Sequence, residues 1–254
     1  MKFVITGANR GLGLTIFKTL LQRPFGLYYG KHDIFLTARS LDILKSSISH
    51  LRCDIPSNFT IHLQSLDFTT PSRCTELLTD VDCLFHTASP YSKSSPEEAT
   101  DDEKELFRSF LASEELLLSS AAESMSSRSG RIVAAGAIVG DATTPEHLWY
   151  CGLFSLSKAQ LKETLQQLAR RYSDKDLSFV YANLGTFIDS STDENKARIE
   201  SGEALSIAEI AHLIIKHALQ PVPGFSAPNH MTASEFETYQ QFHSDEDKKK
   251  AKCR

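Results

Sequence analysis

The chain is short of the residues that would staple, span or coat. Its five cysteines, Cys53, Cys74, Cys83, Cys151 and Cys253, are scattered over 254 residues. They show neither C-x-x-C spacing nor the density of a disulfide scaffold, which excludes a small cross-linked fold and suits a reducing compartment. No apolar run approaches the length of a bilayer span. The opening MKFVITGANRG passes from a short apolar run into glycines without the h-region of a signal peptide. The expectation is a cytoplasmic protein with no membrane partner. Excess positive charge is also missing: 27 Lys and Arg against 32 Asp and Glu leave a formal net charge of −5. No sequence-wide basic field attracts nucleic acid. The Lys-rich tail DEDKKKAKCR is balanced by acids and reads as a solvated, frayed terminus.

What the chain does have is a hydrophobic content of 41%, enough for one continuous core. KFVIT and DIFLTA read as strands, each followed by a helical pattern, LGLTIFKTLLQR and LDILKSSISHL. TIHLQSL, CTELLTDV and DCLFHTA come next, then a long helix from about Glu97 to Met125. RIVAAGA, a helix ending near Tyr172, and LSFVYANLG follow. Ser206 and Glu209 form a capping-box pattern ahead of a helix to about Leu219. RPFGLYYGKH, rich in aromatics and glycine, reads as an ordered surface loop. Strands alternating with helices imply right-handed crossovers and a Rossmann-type α/β fold, a doubly wound parallel sheet in three α/β/α layers. A single domain is expected over residues 1–220, including a short substrate lid at about 186–205, with 221–254 as a C-terminal extension. Ligands of such sheets bind beyond the carboxyl ends of the strands.

The first strand runs directly into Thr6-Gly7-Ala8-Asn9-Arg10-Gly11-Leu12-Gly13, and a helix opens at once. This spacing lets backbone approach a pyrophosphate, whose charge suits the free N–H groups and dipole of a helix N-terminus. TGANRGLG resembles the TGxxxGxG fingerprint of the short-chain dehydrogenase/reductase family, and the resemblance extends over about residues 1–220. It implies cofactor contacts from Gly7, Asn9, Arg10, Gly11, Leu12 and Gly13. Asp67 in SLDF is similar to the family's adenine-contacting aspartate, and Ala88 in HTAS matches its NNAG strand. Gly185 in LGTF resembles the loop that holds the nicotinamide end. The second strand ends Leu36-Thr37-Ala38-Arg39, without the acid that usually holds a free ribose 2′-hydroxyl. Arg10 and Arg39 can instead clamp a 2′-phosphate, so NADP(H) is the expected cofactor. No metal is expected.

Relatives of this kind reduce carbonyls with a tyrosine, a lysine one helical turn later, a polarising serine and a relay asparagine. A phenol is a weak acid until a nearby ammonium stabilises its phenolate. Lys158 in Ser157-Lys158-Ala159 matches the family's SKA and is expected to act in catalysis and on the nicotinamide ribose. The other positions depart from the pattern. Ala137 stands where the serine is expected, and the asparagine position falls near Phe110. In WYCGLFSLSK two aromatics compete for the tyrosine position. Counting back from Lys158 gives Phe154, which has no proton to give; counting forward from Ala137 gives Tyr150. Four residues separate them, about 6 Å of helical rise. Ser155 and Ser157 read as helix-surface hydroxyls, and His86 as either a satisfied structural histidine or a donor to a carbonyl. Two functions remain open: an NADP(H)-dependent reductase of a small carbonyl, or of the matching alcohol in reverse, with Tyr150 and Lys158 as its catalytic pair; or a relative that keeps the cofactor without turnover. The amphipathic EELLLSSAAESM and AQLKETLQQLARRY lie where relatives form homodimers or homotetramers.

Overall fold

The computed structural model describes residues 1–22, 27, 29–49, 51, 55–69, 76–90, 94, 96–137, 145–185, 187–188, 192–220 and 223–230, with backbone alone for 145–151, 187–188 and 229. Its first unit is β1 (Lys2–Thr6), α1 (Gly11–Leu21) and β2 (His32–Ala38). The strand β1 alternates its side chains as a pleat requires. Phe3 and Ile5 enter one core with Ile16 and Phe17 of α1, while Val4 enters the core on the other face. Next come α2 (Leu41–Ile48), β3 (Phe59–Ser65), a short 3₁₀ turn at Glu76–Leu78 and β4 (Cys83–His86). They are followed by α3 (Asp101–Met125), β5 (Gly130–Ala135), α4 (Pro145–Arg171) and β6 (Leu177–Leu184). The strands pair in parallel in the order β3-β2-β1-β4-β5-β6. This is the doubly wound, three-layer α/β/α sheet expected from the sequence. Its two cores lie on opposite faces, one filled from α1, α2 and α6 (Ile207–Leu219), the other from α3 and α4. A fully buried Leu or Phe in either contributes about 1.5–3 kcal/mol.

The helix expected from about Glu97 starts at Asp101 because Thr100 caps it. The Thr100 hydroxyl accepts from Glu103 N, and the Glu103 carboxylate accepts from Thr100 N. In α6, Ser206 Oγ accepts from Ala208 N at 3.3 Å, and Glu209 lies in the first turn, where a negative charge suits the dipole. The segment expected as a lid contains β7 (Phe187–Ile188) paired with β8 (Leu205–Ser206), and α5 (Asp193–Glu200) between them buries no residue. Within the stretch expected as a C-terminal extension, β9 (Gly224–Ser226) and β10 (Asn229–His230) pair successive parts of β6 and together form a seventh, interrupted edge strand. Half of RPFGLYYGKH and all of the Lys-rich tail fall outside the described residues. Among the described residues, no helix is long and apolar enough to cross a membrane.

Candidate active site

The carboxyl ends of the parallel neighbours β1, β4, β5 and β6 lie side by side along one edge of the sheet, and the glycine loop follows β1 there. Gly7 has φ +69°, and a Cβ there would lie 3.0 Å from the Cα and N of Ala88. At Gly13 a Cβ would lie 2.6 Å from both Gly7 O and Thr87 Oγ1. These two glycines therefore set how closely the loop, β4 and α1 pack. Gly11, at φ +54°, faces open space, and its role is conformational. Arg10, the N-cap of α1, makes no side-chain cap bond, and the first turn holds no acid. That helix end keeps its N–H groups and positive dipole for an anion. The buried Leu12 side chain packs into the core, so only its backbone can serve a ligand. Arg10 and Arg39 are exposed, and Asn9, Asp67 and Ala88 are half-buried. The Asp67 carboxylate accepts from Thr69 N at 3.0 Å. Gly185, also half-buried, donates its N–H to His230 O at 2.8 Å, which ties the loop after β6 to β10. The residues present fit a dinucleotide: a cradle without side chains, an uncapped helix end, and two guanidinium groups.

Lys158 is buried, and its Nζ donates to Ala135 O at 2.9 Å, 5.5 Å from the centre of the Phe154 ring. The residue one turn before the lysine is thus an aromatic without a proton to give. Between it and Tyr150 the helix breaks: Gly152 has φ 48° and ψ −128°, backbone that favours glycine. Leu153, the next residue, donates its N–H to Ser94 O at 3.1 Å and packs with Ala99 and Phe107. The second half of α4 consequently begins as a separate helix. The eight-residue spacing from Tyr150 to Lys158 is not that of one continuous helix; the Tyr150 side chain lies outside what the structure describes, as does that of Trp149. Burial pushes the Lys158 ammonium below the usual lysine range, with the Glu114 carboxylate acting against it.

At the end of β5 the backbone of Ala137 both donates to and accepts from the Tyr181 hydroxyl, each at 3.0 Å. Tyr181 is fully buried on β6, and a Cβ at Gly136 would meet its ring at 2.2 Å. A clamped backbone therefore stands where the serine is expected. Ser157 Oγ donates back to Phe154 O at 2.7 Å. Ser155 is fully buried, and its Oγ has no hydrogen-bond partner among the described residues. Both hydroxyls differ from the exposed helix-surface groups expected.

No protein-family model and no curated protein matches the chain. Solved structures match it over almost its whole length. L-sorbose reductase from Gluconobacter frateurii, complexed with NADPH and L-sorbose, superposes at TM-score 0.71 with 18% identity, over 91% of this chain and 95% of that one. A short-chain dehydrogenase from Sphingobium yanoikuyae in complex with NADPH gives 0.71 and 18%, over 96% and 94%. An alcohol dehydrogenase from the archaeon Thermococcus sibiricus, complexed with 5-hydroxy-NADP, gives 0.71 and 20%, over 91% and 96%. The fold is that of the short-chain dehydrogenases/reductases.

On this short-chain dehydrogenase/reductase fold, Phe110 packs its ring 4.8 Å from Phe68 and 6.4 Å from His86. Glu114 of α3 lies one turn further along. Its Oε1 lies 2.7 Å from His86 Nε2, and both side chains are buried. The other ring nitrogen of His86 lies 2.9 Å from Thr6 Oγ1. His86 is thus engaged at both nitrogens and has none free for a substrate carbonyl. Sequence reading passed over Glu114, Gly152 and Tyr181. Glu114 had a signal, an acid on the buried face of an amphipathic helix. Gly152 had one too, a glycine inside a helical pattern. Tyr181 had none, because its partner is loop backbone distant in sequence.

Proposed function

We propose that this chain is an NADP(H)-dependent oxidoreductase of the carbonyl-reductase type, acting on a small molecule. The observation that carries the reading is the cradle: Gly7 and Gly13 leave room only for backbone, against an α1 N-terminus with neither cap nor acid. The NADPH and NADP complexes of the structural neighbours support the same reading. When bound, the cofactor supplies a hydride. The chain's own residues then bind and orient. The α1 N–H groups hold the pyrophosphate, Arg10 and Arg39 the 2′-phosphate, and Lys158 the nicotinamide ribose. Tyr150 is the proton donor of this reading, across the break at Gly152 from Lys158. A second reading, a cofactor-binding relative without turnover, is favoured by one observation. Phe154 covers Lys158 at the position one turn before it.

The test is a titration with NADPH and with NADH, followed by cofactor fluorescence. Wild-type protein is expected to bind NADPH at least tenfold more tightly, about 1.4 kcal/mol. Arg39→Ala is expected to erase most of that preference while leaving NADH affinity unchanged. Equal affinities in the wild type, or no binding of either, would overturn the assignment.

A homo-oligomer is part of the proposal. Leu106 and Leu116 on α3 and Leu156 on α4 are exposed apolar side chains on the helices expected to pair. Light scattering should report a dimer or tetramer, and Leu116→Glu should shift it towards monomer; a monomeric wild type would remove this element.

A further inference from the structure

We infer that His86 is a positioning residue of the candidate cofactor site: oriented by Glu114, its ring takes the Thr6 hydroxyl hydrogen and leaves both lone pairs of that oxygen to the Thr87 and Ala88 amides, which pack against the glycine loop. Hydrogen-bond geometry around Thr6 places every hydrogen. Thr6 Oγ1 receives the N–H of Thr87 at 3.1 Å and of Ala88 at 3.3 Å, and His86 Nδ1 lies 2.9 Å away. A hydroxyl has two lone pairs and one hydrogen. The two amides occupy the lone pairs, so the hydroxyl hydrogen points to Nδ1, which accepts. The ring hydrogen then resides on Nε2 and is donated to Glu114 Oε1 at 2.7 Å. A hydrogen on Nδ1 would require Thr6 Oγ1 to accept three.

These bonds hold the strand end on which the cradle packs. Gly7 approaches Ala88 so closely that a Cβ would lie 3.0 Å from its Cα and N, and a Cβ at Gly13 would lie 2.6 Å from Thr87 Oγ1. The two residues whose amides bond Thr6 Oγ1 are therefore the two that the glycine loop and α1 meet. Thr6 ends β1 and His86 ends β4, as Cα partners in the parallel ladder, while Glu114 reaches the ring from α3. Phe68 and Phe110 pack their rings 5.5 and 6.4 Å from the imidazole. Thr6 and His86 are fully buried and Glu114 is 4% exposed. A polar group that loses its partner in such surroundings is costly, so each member orients the next. The order hydroxyl, imidazole, carboxyl is that of a nucleophile with its base. Here the hydroxyl oxygen is buried beneath two amides, so its role is positional. That the cradle serves a dinucleotide is the reading proposed above, and the inference rests on it for the cofactor readout alone.

NMR and ligand titration of wild-type protein, His86→Leu and His86→Asn provide the test. In the wild-type ring nitrogen spectrum the His86 hydrogen is expected on Nε2; a hydrogen on Nδ1 overturns the inference. In His86→Leu the Thr87 and Ala88 amides should exchange with solvent at least about fivefold faster, while those of Leu84 and Phe85 within β4 keep their wild-type rates. NADPH should bind that variant at least about fivefold more weakly, and 2′-AMP, which lacks the pyrophosphate, within about twofold of wild type. His86→Asn, whose side-chain oxygen can accept from Thr6 in place of Nδ1, is expected to restore the amides and the NADPH affinity. Faster exchange all along β4, or NADPH and 2′-AMP weakened alike, would mean general loosening and overturn the positioning role. So would a folded His86→Leu that matches wild type. Should His86→Leu fail to fold, Thr6→Val removes the same amide acceptor and should give the same local changes, with unmoved Thr87 and Ala88 amides overturning the proposal. Wild-type protein that binds no NADPH would sink the cofactor reading, while the ring spectrum and amide exchange would still decide this one.

Discussion

Gly13→Ala is expected to abolish detectable NADP(H) binding and to lower the unfolding free energy by about 2–3 kcal/mol. The added methyl would sit 2.6 Å from Gly7 O and from Thr87 Oγ1. The carbonyl is backbone, and the Thr87 hydroxyl is tied to Thr6 O, so neither yields by a simple rotamer change. The helix must move away from the loop, and the pyrophosphate cradle opens with it. Gly11→Ala is the control, since nothing lies within 4 Å of a Cβ there and φ is +54°. It should cost only the left-handed strain of about 1–2 kcal/mol, with weakened but measurable binding. Thermal melts and NADPH titration of the two variants check this. A Gly13→Ala protein as stable as wild type and still binding NADPH would show that the cradle is not packed as described.

Tyr150→Phe carries the second large effect. If Tyr150 is the proton donor, NADPH oxidation with carbonyl substrates should fall about 10²–10⁴-fold, the usual contribution of one positioned acid. NADPH affinity should stay unchanged, because Lys158 and the cradle are untouched. The loss should therefore appear in kcat rather than in cofactor binding. Wild type and variant oxidising NADPH equally across a panel of aldehydes and ketones would remove Tyr150 from the mechanism. The covering of Lys158 by Phe154 would then favour a protein that binds cofactor without turnover. The comparison is informative because the chain changes direction at Gly152, between the two aromatics.

Sequence spacing could not rank those aromatics. A count of residues assumes one unbroken helix, and α4 is two helical pieces joined at a positive-φ glycine. The loop-to-helix glycines were legible for the opposite reason. Their spacing is local, and what each does depends on backbone within a few residues and on the strand next to it. The long helix was read from about Glu97, several residues early, because the local Thr100–Glu103 capping box went unread. The lysine was legible from its SKA context. Glu114, on the buried face of α3, had a local signal that went unread, whereas its partner His86, 28 positions away on β4, was decided by the fold.

Composition and period determined the class of the molecule before any coordinate was known. Apolar runs of strand length alternating with amphipathic runs of helix length can bury their faces only in a layered parallel sheet, and the glycine loop after the first strand marks its ligand end. Tertiary structure decided the rest: that residues beyond 220 complete the edge of the sheet, that Tyr181 clamps the backbone where a serine is expected, and that Glu114 of α3 meets His86 of β4 in the interior. These arrangements depend on side chains from separate strands and helices converging in a buried interior, where a polar group without a partner is costly. No periodicity along one chain encodes that convergence.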